Sequence, residues 1–218
     1  DVMKLLSNEI SDKNIFVQKD YSIPKQVKKF KPLCLFISYS GNTEETLSGI
    51  SDAKINNFDW IVISSGGKLI DMAKNEGKDY IQIPNGLQPR AAFGYLTLAV
   101  SKIVDIVEGS NYISELNDVS LYIDKLSDKG DESDINKLSI DICESINKKT
   151  VIIYSGTDMS RVVSSRWKTQ INENAKSKAF IGNLPEVHHN EILSWDADKD
   201  GSKKNYIVIF IRDQNEHP

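Results

Sequence analysis

Short apolar runs alternate with longer stretches of helical periodicity along most of the chain. The apolar runs have the length of strands, and most contain too few polar residues to leave one face in water. In chain order they are NIFVQ, PLCLFIS, WIVISS, DYIQIP, TVIIYSG, KAFIG and NYIVIFI. Runs of this kind, separated by helices, are typical of parallel strands buried on both faces. The pattern therefore predicts an α/β fold.

A helical region separates the first four runs from the last three. Residues 89–109 begin with Pro, end with Gly and are mostly apolar, which predicts a deeply buried helix. Further helices are expected at 111–127 and 135–148, on either side of the polar segment SDKGDES at 127–133. That segment is the expected boundary between two domains.

The two halves resemble each other weakly, because each has a strand that enters a Ser-Gly turn, FISYSGNT and IIYSGTDM. We expect residues 1–128 and 129–218 to form separate domains, each a doubly wound, flavodoxin-like parallel sheet flanked by helices.

Composition excludes several classes of protein. The chain is 39% hydrophobic and 27% charged, carries a net charge of −4, and has no basic stripe with interleaved aromatic residues, which argues against nucleic acid as a partner. No apolar stretch approaches the length of a membrane span. Cys34 and Cys143 form neither a disulfide framework nor a metal-binding spacing, so we expect a cytoplasmic protein.

The segment SYSGNTEET at 38–46 follows the second apolar run. Asn42 with Glu45 three residues later resembles a helix cap with a capping-box partner, and most such caps bind nothing. Alternatively, the hydroxyls of Ser38, Ser40 and Thr43 converge with the free N–H groups of a helix start and bind a phosphate. This segment alone leaves both interpretations open.

SSGGKL at 64–69 is a second Ser/Gly turn between a strand and a helix, at the sheet edge where open α/β sheets bind ligands. Neither it nor SYSGNTEET matches GxGxxG or the P-loop, which argues against a dinucleotide or ATP. Capture of a single phosphate by hydroxyls and backbone fits better.

Arg90 lies at the mouth of the apolar helix, where its charge opposes the helix dipole. It is either a surface residue paired with a carboxylate or a guanidinium directed at an anionic ligand or a developing enolate. Glu173 lies among amide side chains in NENAK. It is either a general base or part of an exposed polar helix end.

PEVHHNEI contains His188 and His189 between Glu186 and Glu191. The spacing matches no known zinc motif, so we expect no metal. A histidine that acts as acid or base is the better chemical interpretation.

Taken in this order, SYSGNTEET, SSGGKL, QPRAAFGYL, NENAK and HHNEI resemble the bifunctional phosphoglucose/phosphomannose isomerase family, which is built from two sugar-isomerase (SIS) domains. The resemblance spans nearly the whole chain. It implies reversible isomerisation of glucose 6-phosphate or mannose 6-phosphate with fructose 6-phosphate through a cis-enediolate, without metal or organic cofactor.

The same resemblance implies a role for each motif residue. Ser38, Ser40 and Thr43 fall on the phosphate-binding loop, and Arg90 on the arginine that stabilises the enediolate. Glu173 falls on the base that moves the proton between C1 and C2. His189 falls on the ring-opening residue, which this family supplies across the interface of a homodimer.

Family members also have a Gly-rich loop with another phosphate serine before this region, and a threonine and a lysine after it. We therefore expect half of the phosphate cradle to lie upstream of Asp1. The competing hypothesis is a non-catalytic SIS module that binds a phosphosugar for regulation. NENAK and HHNEI favour the enzyme, because a pure binder needs neither a base nor a ring-opening histidine.

Overall fold

The computed structural model describes residues 3–4, 13–127, 133–197, 199, 201–214 and 216. These residues form two compact units, which divide after Asp118. The first unit comprises described residues 13–118, and the second comprises residues 3–4 and the described residues from 119 onward. Most of the predicted linker at 127–133 lies outside the described residues, so the domain limits of 1–128 and 129–218 stay a prediction.

The first unit contains a parallel three-stranded sheet in the order β1-β2-β3. Its strands are β1 (Cys34–Ile37), β2 (Trp60–Ser64) and β3 (Tyr80–Gln82). Its helices are α1 (Lys25–Lys28), α2 (Glu44–Ile55), α3 (Gly67–Asn75) and α4 (Phe93–Glu108), followed by α5 (Tyr112–Ser127), which continues into the second unit.

Side chains of β2 alternate between two apolar clusters, one on each face of the sheet. Trp60 and Val62 pack with buried residues of α2 and α3, whereas Ile63 packs with Ala99 and Ile103 of α4. Because successive side chains of a strand point to opposite faces, a strand covered on both sides must be apolar at nearly every position. This packing explains the continuous run WIVIS.

The second unit contains another parallel sheet, in the order β5-β4-β6. Its strands are β4 (Thr150–Ser155), β5 (Ala179–Asn183) and β6 (Tyr206–Ile211). Its remaining helices are α6 (Asp134–Ile146), α7 (Asp158–Gln170), α8 (Val187–Asn190) and α9 (Ile192–Ala197). Val151 and Ile153 are fully buried against residues that include Trp167 of α7. The parallel sheets confirm the predicted α/β class.

Two details of the sequence prediction are wrong. NIFVQ at 14–18 forms no strand: Phe16 is 52% exposed and its ring stacks on Phe30, with 6.3 Å between centroids. The segment therefore makes aromatic side-chain contacts and lacks the backbone hydrogen bonds to a neighbouring strand that a β-strand requires. The helix predicted at 89–109 is a 3₁₀ turn (Pro89–Ala91) followed by α4, and α4 is not deeply buried.

Helix α4 buries only one side within its unit, because a single sheet face can cover only one stripe of a helix. Its exposed apolar residues are Phe93, Tyr95, Leu98, Ile106 and Val107. Among the described residues, none of the helices has the length and apolar character that crossing a bilayer requires.

Candidate active site

The loop that follows β1 places three hydroxyl side chains beside the start of α2. The hydroxyls of Ser38 and Thr43 are 2.6 Å apart, and the Ser38 hydroxyl also accepts a hydrogen bond from the N–H of Gly41 at 3.2 Å. Ser38 is buried, whereas Ser40 and Thr43 are exposed. This loop therefore has a fixed inner hydroxyl pair and an open side that a ligand can reach.

Helix α2 begins at Glu44 without a side-chain cap. Of the two interpretations that the sequence left open, the one in which Asn42 caps this helix, with Glu45 as its partner, is wrong. The Asn42 side-chain oxygen instead accepts from the N–H of Lys68, at the start of α3, over 3.2 Å. Since the first N–H groups of a helix lack partners within the helix, those of α2 stay available to an anion at its positive end.

The SSGG turn interlocks with this loop through the backbone. Gly41 has a φ of +69°, and a Cβ on it would lie 1.8 Å from the carbonyl oxygen of Gly66. Gly67 has a φ of +70°, and a Cβ there would lie 2.4 Å from the carbonyl oxygen of Ser40. Both positions require glycine for space and for conformation. The two Ser/Gly turns of the first unit therefore form one structure.

Arg90 lies in the 3₁₀ turn that follows β3, at the same carboxyl edge of the sheet as the loop after β1. Pro89 occupies the first position of that turn. The Arg90 guanidinium donates a hydrogen bond to the side-chain oxygen of Gln88 at 3.4 Å. Arg90 therefore precedes α4, whereas the sequence placed it in the helix itself.

Glu173 lies on a π-helix (Ile171–Ala175) that continues directly from α7. This π-helix belongs to the second unit, and the side chain of Glu173 is exposed. The side-chain oxygen of Asn172 accepts from the N–H of Ala179 at 2.9 Å, which ties this wide turn to the start of β5. π-helical turns are rare and occur frequently at functional sites.

The HHNE segment is attached to the second sheet through Glu191. The hydroxyl of Tyr154 donates to the Glu191 carboxylate at 3.0 Å and accepts from the Trp195 indole at 2.9 Å. Burial raises the pKa of Tyr154, and the neighbouring Glu191 carboxylate raises it further. A cavity of about 200 Å³ beside these residues is lined by Leu184, Val187, His188, Ile192, Val208 and Phe210, in addition to Tyr154 and Trp195.

The two acidic residues of this segment accept hydrogen bonds from neighbouring side chains. Glu186 accepts from the side chain of Asn190 at 3.1 Å, and Glu191 accepts from Tyr154. Within the described ranges, His, Cys, Asp and Glu side chains form no group of three or more that could hold a metal ion.

The structure therefore groups the predicted site residues within each unit. Ser38, Ser40 and Thr43 share one loop, and Arg90 follows the third strand at the same sheet edge. In the second unit, Glu173 precedes β5 and His189 follows it.

Sequence reasoning missed the role of Asn42 as a bridge to α3. The available signal was the glycine pair in SSGG, because two glycines at a helix start indicate a close backbone approach. The partner of that approach was not visible in the sequence.

Most of the chain is similar to known sugar-phosphate isomerases. Residues 135–218 match the family of the bacterial phospho-glucose isomerase C-terminal SIS domain. The bifunctional phosphoglucose/phosphomannose isomerase of Aquifex aeolicus is 35% identical over 216 residues, which cover 98% of this chain and 62% of that protein. The chain is similar to the bifunctional phosphoglucose/phosphomannose isomerases over nearly its whole length.

Two further comparisons define how far this likeness extends. The D-glucosamine-6-phosphate 4-epimerase of Sulfolobus acidocaldarius is 36% identical over 180 residues, covering 82% of this chain and 56% of that protein. A solved structure of a candidate phosphosugar isomerase from Clostridium difficile 630 shares the fold, with a TM-score of 0.58 at 17% sequence identity. The matched region covers 89% of this chain and 56% of that protein's chain. The chain thus spans about three fifths of the length of the curated relatives that it matches.

Proposed function

We propose that the intact protein containing this chain isomerises glucose 6-phosphate and mannose 6-phosphate reversibly with fructose 6-phosphate. The observation that carries this proposal is the uncapped start of α2 beside the Ser38 and Thr43 hydroxyl pair. A phosphate there would accept hydrogen bonds from the backbone and from the exposed hydroxyls of Ser40 and Thr43. The curated relatives are named for reactions of sugar phosphates, which agrees with such a ligand.

The chemistry requires a base and a positive group in addition to the phosphate anchor. A proton on carbon beside a carbonyl is a weak acid, so a carboxylate must be held against it while a cation stabilises the enediolate oxygen. We assign the base to Glu173 and the cation to Arg90. Because the planar enediolate loses the configuration at C2, one base serves both the glucose and the mannose epimer.

We further propose that the protein is a homodimer in which His189 opens the sugar ring in the partner's site. Glu173 lies on the π-helix before β5 and His189 on the helix after it, so we assign them to different sites. Opening the ring moves a proton between O1 and O5, a task suited to histidine. Both cysteines are free thiols, which agrees with the reducing cytoplasm as its compartment.

The test supplies fructose 6-phosphate to the intact protein and measures both glucose 6-phosphate and mannose 6-phosphate. We expect wild-type turnover, a loss of at least a hundredfold in kcat for Glu173→Gln, and no change for the matched control Glu144→Gln on α6. Undiminished turnover in Glu173→Gln would remove Glu173 as the base. Binding without turnover in the wild type would favour a regulatory phosphosugar-binding module.

Two added arms cover the remaining alternatives. Glucosamine 6-phosphate is supplied in parallel, because one relative is named as its 4-epimerase; conversion of that compound alone would replace the proposed substrate. A chelator is added in a third arm, where we expect activity to persist. Loss of activity that a divalent metal restores would contradict the proposal that no metal takes part.

A further inference from the structure

Tyr39 lies inside the loop after β1, between the two serines assigned to phosphate. Its ring packs against the apolar cluster that contains Ile63, Ile83 and Ala99, on the α4 side of the sheet. The side chain is therefore held against the core, although it belongs to a loop of small polar residues. Its backbone and its phenol have separate sets of partners.

The backbone carbonyl of Tyr39 connects its loop to the SSGG turn. It accepts from the N–H of Ser65 at 3.0 Å and from the Ser65 hydroxyl at 2.6 Å. It also accepts from the Ser64 hydroxyl at 3.3 Å. These bonds persist for any side chain at position 39, because they involve only its carbonyl oxygen.

The phenol of Tyr39 reaches a different segment, the turn that leads from β3 to Arg90. Its hydroxyl donates to the carbonyl oxygen of Pro84 at 3.3 Å and accepts from the N–H of Leu87 at 2.7 Å. Gly86 lies between these two partners and has a φ of +83°. Leu87 precedes Arg90 by only three residues, so the phenol holds the turn that carries this arginine.

We propose that Tyr39 is a positioning residue that fixes Arg90 relative to the phosphate loop. This inference rests on the proposed function and deepens it. A phosphosugar is anchored at its phosphate while the charge develops at C1 and C2, several bonds away. The arginine must therefore be placed relative to the phosphate, because small displacements of a catalytic group reduce the rate strongly.

The variant Tyr39→Phe removes both phenol bonds and keeps the ring and the carbonyl contacts. We expect kcat for fructose 6-phosphate to fall by about tenfold, while KM and the affinity for inorganic phosphate change by less than about twofold. Tyr80→Phe on β3 is the matched control, for which we expect wild-type values. Loss of phosphate affinity in proportion to kcat would overturn the proposal, since it would indicate general damage to the loop.

A double-mutant cycle with Arg90→Gln tests the route of the effect. If Tyr39 acts through Arg90, adding Tyr39→Phe to Arg90→Gln lowers kcat by less than about twofold. If the two losses multiply in full, Tyr39 acts independently of Arg90 and the proposal is overturned.

Hydrogen exchange separates this proposal from the proposed function. The amide of Leu87 is expected to exchange about tenfold faster in Tyr39→Phe than in the wild type or in Tyr80→Phe. This measurement needs no turnover, so it remains decisive if the protein is not an isomerase. Unchanged exchange at Leu87 would contradict the coupling itself, whatever reaction the protein catalyses.

Discussion

Gly41 gives the most stringent test of the interlocked turns. Replacing it with Ala adds a Cβ at 1.8 Å from the Gly66 carbonyl oxygen, in a residue whose φ is +69°. The left-handed conformation costs a residue with a Cβ about 1–2 kcal/mol. The contact is with backbone and cannot be relieved by a rotamer change, so displacement of one turn adds about 1–3 kcal/mol. We therefore expect Gly41→Ala to destabilise the first unit by about 2–5 kcal/mol.

Two other glycines provide controls that separate the contributions. Gly77 has a φ of +60° but open space around its Cβ position, so Gly77→Ala reports the conformational cost alone, about 1–2 kcal/mol. Gly94 in α4 lacks a positive φ and has open space, so Gly94→Ala is expected to stabilise by about 0.5–1 kcal/mol.

The assay is native-state hydrogen exchange at the amides of β2, which reports the unfolding free energy of this unit. It is combined with titration of inorganic phosphate, for which we expect Gly41→Ala to lose at least tenfold in affinity. A Gly41→Ala variant within about 0.5 kcal/mol of Gly77→Ala, with normal phosphate affinity, would refute the close approach of the two turns.

Two further predictions concern single hydrogen-bonding groups. Asn172→Ala removes the 2.9 Å bond to the N–H of Ala179, so we expect a loss of about 1 kcal/mol in stability and a fall of about tenfold in kcat. Asn172→Asp retains the acceptor and should recover the stability in denaturation; equal losses in both variants would contradict this role. The Lys28 ammonium, at 2.6 Å, and the N–H of Ile23 hold the pKa of Asp52 below its usual value of 3.8, although burial opposes them. The unfolded chain therefore binds a proton at higher pH than the native state, and Asp52 stabilises the fold above about pH 4 and loses this effect as the pH falls further. As the pH falls below about 4, the free energy of unfolding should decrease less steeply in Asp52→Asn than in the wild type. An identical decrease in the two proteins would contradict this role of Asp52.

The fold class was predictable because a strand buried on both faces, such as WIVIS, has a continuous run of apolar residues. It failed for NIFVQ, since the same apolar composition gives Phe16 a stacking partner in Phe30 without a neighbouring strand. Strand formation depends on which neighbours are present, and composition carries no information about them.

The candidate site was predictable to a similar extent. Ser38, Ser40 and Thr43 share one local segment, so the sequence could group them by their spacing. Asn42 resembled a cap for its own helix, yet it binds the N–H of Lys68, 26 residues away. Local capping rules fail here because the neighbouring turn offers a competing donor at the same sheet edge. The phenol contacts of Tyr39 with the turn before Arg90 escaped prediction for the same reason.

The proposed proton transfer at Glu173 is tested most directly by running the isomerisation in deuterated water with the intact protein. Abstraction by a carboxylate exposes the proton to exchange, so we expect deuterium at C2 of the glucose 6-phosphate formed from fructose 6-phosphate. We expect Glu173→Gln to form neither product nor label, and Glu144→Gln to match the wild type. Labelled product formed at the wild-type rate by Glu173→Gln would contradict the assignment of Glu173 as the base.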